Sequence, residues 1–217
     1  MPNLFKIPEL RKKILYTLGV LVLLRVGAHI TVPGVNREAL TLAVGGQNNL
    51  FGLLDLFTGG ALQRATVFAL GIMPYISASI IFQLLTAVFP YFEKLQKEGE
   101  EGRKKITQYT RYATVALATV QGYGYAVFIE NLSPEAVMFP GLRFKLMTVL
   151  VLTTGAIFVM WLGEQITEHG IGNGMSLIIT FSIIEAFPQA AAQIWTLWRT
   201  EVIGVFTILA FFAIMVG

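Results

Sequence analysis

Long runs of apolar residues, separated by short polar or glycine-rich segments, dominate the chain. The runs are continuous rather than alternating, and several approach the roughly 20 residues that an α-helix needs to cross a bilayer. Inside hydrocarbon every backbone N–H and C=O must be satisfied within the protein, so such runs predict helices rather than barrel strands. The pattern therefore predicts an all-α polytopic membrane protein.

Five apolar runs are predicted to be membrane spans. They lie at residues 14–32, 67–90, 112–129, 146–162 and 175–187. Pro33-Gly34 is expected to close the first helix as a turn. The fifth run is short and carries Glu185, so it is expected to lean on protein neighbours rather than lipid. A sixth run, residues 201–217, reaches the last residue, so we expect the sequence to belong to a longer protein.

The polar segments complete the predicted topology. Residues 1–13 form a basic N-terminus, whereas residues 91–111 and 163–174 are predicted to be loops. If the N-terminus is cytoplasmic, ten Lys and Arg fall on that side and five on the other, which supports this orientation and a cytoplasmic loop at 91–111. A basic start before an apolar run also describes a signal peptide, but this run is long and contains Arg25.

Residues 50–66 form a split element. The apolar part, residues 50–57, covers only about two helical turns and is too short to span a membrane. Gly59 and Gly60 then interrupt it. A re-entrant half-helix inside a protein-lined cavity and a helix lying on the membrane surface both fit this pattern. For Asp55, alone among Leu and Phe, a capping or water-facing role is favoured over proton transfer.

The composition agrees with a membrane protein and excludes some chemistry. Of the 217 residues 55% are hydrophobic and 13% are charged, against about 25% charged in soluble domains. The net charge of +3 is small, and its basic residues cluster beside apolar runs, which favours a membrane surface over nucleic acid. The sequence has no cysteine, which excludes disulfides, thiolate metal sites and cysteine nucleophiles.

Three ordered motifs resemble those of the SecY family, the central subunit of the bacterial protein-conducting channel. Residues 68–81, FALGIMPYISASII, resemble its second span. Residues 98–112, with EGEEGR and QYTRY, resemble its second-to-third cytoplasmic loop. Residues 161–174, with WLGEQITE and GIGNG, resemble the approach to its fifth span. The motifs are non-repetitive, and the resemblance covers most of the chain from Leu50 to Ile184.

The resemblance implies half of a ten-span inverted-repeat channel with a re-entrant plug helix. Such a channel passes unfolded secretory polypeptides across the bacterial inner (plasma) membrane and releases transmembrane segments sideways into lipid. It is no enzyme and needs no cofactor or metal. The implied partners are SecE-like and SecG-like small membrane subunits, a SecA-type motor ATPase or a ribosome on the cytoplasmic face, signal sequences with their secretory polypeptides, and membrane lipid.

The resemblance also implies a pore ring of aliphatic side chains from the second and fifth spans: Ile72, Ile76, Met175 and Ile179. Each pair is spaced i, i+4 and shares one helix face. An apolar constriction resists ions by dewetting, and flexible side chains can part around a peptide. Met175 departs mildly from the Ile or Leu usual in the family. From spacing alone, ordinary helix packing would explain all four residues.

The other implied sites fall into three groups. The plug residues are Leu53, Leu54, Asp55, Phe57, Gly59 and Gly60, with the two glycines as a hinge. The lateral gate would use the polar side chains of Ser77, Ser79, Gln83 and Gln121, with interhelical packing as the alternative; such hydrogen bonds contribute only about 0.6 to 2 kcal/mol each. Partner docking is assigned to Arg103, Lys104, Lys105 and Arg111, with a solvated, non-contacting loop as the alternative.

Other ionisable or nucleophilic residues suggest alternative classes. Arg25 and His29 share a face of the first span, and anchoring of Arg25 at the interface is favoured. A secondary transporter would want paired ionisable groups at mid-membrane, which the sequence hardly offers. An intramembrane serine protease would use Ser176, within a loose Gly-x-Ser-x pattern, and would need a base such as His169 within reach.

Overall fold

The computed structural model of this chain describes residues 8–40, 58–132 and 134–185. Six helices follow one another in these ranges: α1 (Pro8–Gly27), α2 (Met73–Val88), α3 (Pro90–Lys97), α4 (Glu100–Leu132), α5 (Leu142–His169) and α6 (Gly174–Glu185). A short 3₁₀ turn at Pro134–Ala136 precedes α5. The described residues contain isolated β-bridges, Thr31 with Thr66 and Val35 with Val137, but no strand. The all-α prediction is confirmed.

Among the described helices, α5 is the only single helix that is long and apolar enough to cross a membrane. Helices α2 and α3 meet the same criterion together, but they are bent by 98° where Phe89 joins them. The predicted spans at 112–129 and 146–162 lie inside α4 and α5, and both helices extend beyond them. The spans themselves remain predictions. Predictions for residues 1–7, 50–57, 186–187 and 201–217 lie outside the described residues.

The prediction of a loop at residues 91–111 was wrong, because this segment forms α3 and the first turns of α4. Pro90 begins α3, and Lys97 donates to Glu93 at 2.5 Å, an i, i+4 pair that favours helix. Gly99, with φ of +79°, makes the turn, and acidic residues open α4 at its favourable dipole end. The many charged residues of this segment therefore lie on an exposed helical hairpin.

The prediction of a loop at residues 163–174 was also largely wrong. Helix α5 continues through His169, and residues 170–173 alone link it to α6. Gly163 does not end the helix. Any side chain at Gly163 would overlap Met175, and one at Gly174 would overlap the carbonyl of Gly163. These glycines let the end of α5 and the start of α6 lie against each other.

The first two predicted spans differ from the observed helices: α1 begins six residues before the first span and ends five residues before the end of that span, and α2 begins six residues into the second span. Helix α1 ends at Gly27, before Pro33, because residues beyond it run extended: Val32 N–H donates to Ala65 O at 2.8 Å, and Val67 N–H donates to Ile30 O at 2.8 Å. Residues 67–72 accordingly form turns, and α2 begins only at Met73. Backbone pairing outside the helices therefore replaces helical hydrogen bonds on both segments.

Two apolar clusters form the core of the described residues. The alanine-rich cluster includes Ala65, Ala69, Ala118, Ala126, Ala136, Ala156, Ile129, Phe144 and Leu152. The isoleucine-rich cluster includes Val20, Leu24, Phe68, Ile72, Val159, Leu162, Ile166 and Ile178, with the partly buried Tyr75, Ile76, Met175, Ile179 and Phe181. Helices α2 and α5 contribute to the second cluster together with α1 and α6, so this cluster joins the motifs on which the ring prediction rests.

Candidate functional site

The segment that leads into Ile72 is held between α1 and α5 by two glycines. The Phe68 ring occupies the space that a side chain on Gly27 of α1 would need. The Val67 carbonyl lies where a side chain on Gly155 of α5 would be. Neither contact could form with a larger residue. These close approaches fix residues 67–68 and thereby the start of α2.

The turn before Ile72 depends on Gly71, whose φ of +52° is one that glycine adopts readily. A Cβ at this position would stand 3.3 Å from the Thr58 methyl group, so residue 58 packs directly on the turn. Pro74 lies in the first turn of α2, where its missing N–H costs no helical hydrogen bond. The turn and the proline together set the direction in which α2 leaves Ile72.

Helix α6 is positioned by caps at its first residue. Asn173 Oδ1 accepts hydrogen bonds from the N–H groups of Met175 at 3.0 Å and Ser176 at 3.3 Å. Such side-chain caps satisfy N–H groups that the first turn leaves unpaired. Thr167 Oγ1 accepts from Gly174 N–H and donates to Gly163 O, both at 2.9 Å. These caps therefore place Met175 in the first turn of α6, beside Gly163 of α5.

The structure brings the four predicted ring residues into one place, the isoleucine-rich cluster. Ile72 is 2% exposed and belongs to the interior of the cluster, whereas Ile76, Met175 and Ile179 are half-buried at its edge. Residues from α1 and α5 pack behind them. The four side chains thus combine one fixed member with three that keep a free surface, which is an arrangement that packing and pore lining both allow.

The predicted plug is described only at its hinge. Gly59 and Gly60 have φ values of +62° and +79°, which supports their assignment as a hinge in backbone terms. Thr58 is buried, and its hydroxyl accepts from Leu62 N–H at 3.3 Å. The implied plug residues Leu53, Leu54, Asp55 and Phe57 lie outside the described residues. The predicted hinge therefore packs beside the isoleucine-rich cluster through Thr58 and Gly71.

The four predicted gate residues lie on two neighbouring helices, α2 and α4. Gln83 donates to Ser79 Oγ at 3.3 Å within α2. Gln121 of α4 lines an apolar cavity of about 280 Å³ with Leu70, Met73 and Tyr125. The side chains of Ser77 and Gln121 form no hydrogen bond with another of the described residues. The seam between α2 and α4 is thus mainly apolar, and the gate assignment stays a prediction.

The four predicted docking residues divide into two kinds. Arg103, Lys104 and Lys105 are exposed along α4, and Lys105 lies 3.9 Å from Glu98. Arg111 instead binds Glu164 of α5, with Nε donating to Oε1 at 2.7 Å. The structure thus gives Arg111 a partner inside the chain, a pairing that the sequence analysis missed.

Aromatic rings hold the α3–α4 hairpin against the end of α2. Phe82 of α2 lies 5.7 Å from the ring of Phe92 and 6.3 Å from that of Tyr109, measured between centroids. A hydrogen bond with Tyr109 raises the pKa of Tyr91 above its usual value. The bond to Lys97 lowers the pKa of Glu93. Arg103, Lys104 and Lys105 therefore lie on a helical hairpin that aromatic contacts hold against α2.

An ion pair between Arg25 of α1 and Glu185 of α6 is the main feature that sequence reasoning missed. The available signal was two lone charges in two apolar runs, since charges at such positions normally pair with each other. Arg25 therefore faces protein rather than acting only as an interfacial anchor. His29, one turn later, is exposed and lies with Nδ1 2.9 Å from the Arg25 carbonyl oxygen.

The protease alternative finds no support in the arrangement of its residues. Ser176 is exposed on the first turn of α6. His169 lies beside Tyr16, with ring centroids 5.8 Å apart. Among the described residues no hydrogen bond joins Ser176 to His169, so this pair lacks the contact that activates a serine nucleophile.

Comparison with known sequences agrees with this architecture. The model of the SecY family matches residues 66–217. The protein translocase subunit SecY of Streptomyces scabiei is 50% identical over 201 residues, which cover 86% of this chain and 45% of that protein. For the subunit of Aquifex aeolicus the identity is 46% over 217 residues, covering 97% and 51%. The chain spans about half the length of these curated relatives.

Solved structures share the fold. A structure of a protein conducting channel is 22% identical, with a TM-score of 0.65, and the match covers 94% of this chain and 46% of that one. Sec61 in the canine ribosome-channel complex gives a TM-score of 0.61 at 20% identity, over 94% and 46%. The described helices thus have the fold of a protein-conducting channel. By its sequence, the chain belongs to the SecY family.

Proposed function

We propose that this chain supplies the first half of a channel that passes unfolded secretory polypeptides across the bacterial plasma membrane and releases transmembrane segments sideways into lipid. The observation that carries the proposal is the convergence of Ile72, Ile76, Met175 and Ile179 on one apolar cluster. In this role the four form the ring that keeps ions out. The channel is passive, and no side chain of this chain acts as a catalyst.

The exposure of the four residues supports a ring that opens and closes. Ile72 is held by the packed turn before α2, so it provides a fixed point. Ile76, Met175 and Ile179 are only half-buried, and a thioether and branched side chains can change rotamer without moving a helix. A peptide could therefore displace three members of the ring while the fourth keeps its place.

Ion conductance of the full-length protein, reconstituted with its partner subunits in planar bilayers, tests this role. Ile76→Ser and Ile179→Ser should each raise the resting conductance several-fold, because a hydroxyl lets water wet the constriction. Ile81→Ser and Ile184→Ser are matched controls. They replace exposed isoleucines on the same two helices, five residues on and thus turned by about 140° from the ring positions.

The controls decide the outcome. A rise in conductance with the ring variants and none with Ile81→Ser or Ile184→Ser supports the ring. If all four variants conduct like the parent, these isoleucines do not close the pore. If the control variants leak as much as the ring variants, the leak does not come from a constriction at Ile76 and Ile179.

The lateral gate is proposed to open along the seam between α2 and α4, with Ser77, Ser79, Gln83 and Gln121 on this side. The mainly apolar seam and the cavity at Gln121 support a surface that separates with few hydrogen bonds to break. Residues 50–66 are proposed as the plug, with a hinge at Gly59 and Gly60, whose φ values support a bend.

Partner docking is proposed on the cytoplasmic side, with the N-terminus on the same side. Arg103, Lys104 and Lys105 are exposed on a helix braced by aromatic contacts, which supports a preformed basic surface for a SecA-type motor ATPase or a ribosome. The solved Sec61 homologue is part of a ribosome-channel complex. SecE-like and SecG-like subunits and membrane lipid are proposed to cover exposed apolar side chains of α1 and α5, such as Val22 and Leu150.

A further inference from the structure

The Arg25–Glu185 ion pair stands at one end of the isoleucine-rich cluster and joins α1 to α6. Glu185 is mostly buried, with 17% of its side chain exposed, and Arg25 is partly buried, with 37% exposed. Burial of two charges costs desolvation that a well-packed apolar pair would avoid, so such a pair is weak evidence for stability alone. Both residues lie in predicted spans, where this cost is highest. The pair therefore calls for a role beyond holding two helices together.

The Glu185 carboxylate lies directly over the hinge. A Cβ added to Gly59 would stand 3.2 Å from Glu185 Oε2, so the carboxylate occupies the space beside the glycine. A cavity of about 40 Å³ at this point is lined by Arg25, Glu185, Thr58, Gly71 and Ile72, among others. Its volume and polar walls suit one or two water molecules. The ion pair, the hinge and the fixed ring residue thus share one small space.

A second cation makes Glu185 the more important partner. Arg64, just beyond the hinge, places a second positive charge near this space. Its guanidinium lies beside Gly60, where a Cβ would stand 2.8 Å from one terminal nitrogen. The Glu185 carboxylate therefore offsets the repulsion between Arg25, which lies on α1, and Arg64, which lies just beyond the hinge. Without the carboxylate, this repulsion would push the hinge away from α1.

We propose that Arg25 and Glu185 are positioning residues for the ring: their ion pair holds Thr58 and Gly59 against the turn at Gly71 and so fixes Ile72. The contacts run from the Glu185 carboxylate to Gly59, from the Thr58 methyl group to Gly71, and from that turn into α2. The proposal rests on the proposed function of the ring, but the position of the hinge can be measured without any channel activity.

A thiol at the hinge measures this position. The 217 residues contain no cysteine, so Thr58→Cys, in full-length protein freed of any other cysteine, reports how often the buried hinge opens to a water-soluble maleimide. Adding Glu185→Gln should speed the reaction about tenfold or more, and adding Arg25→Gln should speed it less. The exchanged pair, Arg25→Glu with Glu185→Arg, restores opposite charges and should return the rate to within about threefold of the parent.

Two controls separate positioning from general loss of structure. Thr148→Cys places the thiol on α5 at a position that is 0% exposed, and its rate should not change with Arg25 or Glu185. Arg111→Gln breaks a separate ion pair, between α4 and Glu164 of α5, and should leave the Thr58→Cys rate unchanged. An unchanged hinge rate in Glu185→Gln, an equal rise at Thr148→Cys, or failure of the exchanged pair to recover would each overturn the proposal.

Conductance in the same proteins separates this proposal from the proposed function. If Glu185→Gln frees the hinge thiol while Ile76→Ser and Ile179→Ser leave conductance unchanged, positioning of the hinge stands and the ring fails. If the ring variants leak but the hinge thiol stays protected in Glu185→Gln, the ring stands and the positioning role is overturned.

Discussion

The two apolar clusters are packed in different ways. In the alanine-rich cluster, small residues bring backbones together, and Ala65, Ala126, Ile129 and Leu152 have no exposed surface. In the isoleucine-rich cluster, larger branched side chains and a methionine fill the space between helices, and several of them are half-buried. Interiors built from backbone contacts cannot adjust without moving whole elements, whereas long side chains can adjust by changing rotamer.

This difference assigns a separate role to each cluster. The alanine-rich cluster holds the extended residues 30–36 against residues 65–67 and 136–138 through backbone hydrogen bonds. The isoleucine-rich cluster contains the four residues of the proposed ring, which would have to deform for a polypeptide to pass. In the proposed channel, the two kinds of packing would let one level open while the other stays folded. Two glycines of α5, one that faces backbone and one that faces side chains of the isoleucine-rich cluster, allow the two kinds of packing to be tested with the same substitution.

Gly155→Ala should have the largest effect. The new methyl group would overlap the Val67 carbonyl, a backbone atom that cannot rotate away and that is held by the bond from Val67 N–H to Ile30 O. We expect the free energy of unfolding of the full-length protein in detergent to fall by about 3 kcal/mol.

Gly124→Ala in α4 is the matched control for this substitution, because nothing lies within 4 Å of the position that its Cβ would take. Replacing a helical glycine in open space should stabilise the protein by about 0.5 to 1 kcal/mol. If Gly155→Ala were as stable as Gly124→Ala, the backbone contact between Gly155 and Val67 would not be rigid.

Gly163→Ala, eight residues further along α5, should cost less. Its methyl group would meet the Met175 thioether and the Ile178 side chain rather than backbone. A thioether moves aside easily, so we expect a loss of about 1 kcal/mol in the same unfolding measurement. Because Met175 belongs to the proposed ring, resting conductance should rise as well.

The double variant Gly163→Ala with Met175→Ala sharpens this expectation, because truncating Met175 removes the overlap. It should be no less stable than Met175→Ala alone, which is a clear departure from additivity. Additive losses would mean that the cost of Gly163→Ala arises elsewhere and that the isoleucine-rich cluster does not adapt through Met175.

Much of this architecture could be predicted from the sequence, and the reasons differ by feature. Continuous apolar runs indicate helices wherever they occur, so the all-α class follows from the pattern alone. The convergence of Ile72 and Ile76 with Met175 and Ile179 follows from their i, i+4 spacing only when the resemblance to the SecY family supplies the facing helix. Spacing within one helix contains no information about its partner.

Features that depend on distant contacts could not be predicted. A glycine such as Gly163 suggests a helix end in sequence, but it serves here as the point where α6 approaches α5. The charges of residues 91–111 suggest a loop, but Glu93 and Lys97 form an i, i+4 pair in α3, and acidic residues occupy the first turn of α4. Arg25 and Glu185 are 160 positions apart, and nothing local to either residue reveals the other.

The Arg111–Glu164 pair tests whether the isoleucine-rich cluster depends on this ion pair as a polar brace at its edge. The pair joins α4 to α5 close to Tyr75, which packs on the isoleucine-rich cluster. Because 40% of the Arg111 side chain is exposed, Glu164→Gln should lower the free energy of unfolding by about 0.5 kcal/mol at low salt and by less at high salt. A loss of several kcal/mol, independent of salt, would show that the brace rather than packing holds this cluster.

The smallest effect is expected in the α3–α4 hairpin, which belongs to neither cluster. In this hairpin, the hydrogen bond from Lys97 lowers the pKa of Glu93 from the usual 4.5. A carboxylate with a lowered pKa stabilises the fold above its unfolded pKa, and this contribution disappears as the pH falls through the folded value. Titration of a carbon-labelled Glu93 carboxyl by NMR should therefore give a lower pKa in the parent than in Lys97→Gln. Equal pKa values would show that the exposed pair does not form in solution. If NMR signals of residues in either cluster changed in Lys97→Gln, the hairpin would be coupled to that cluster.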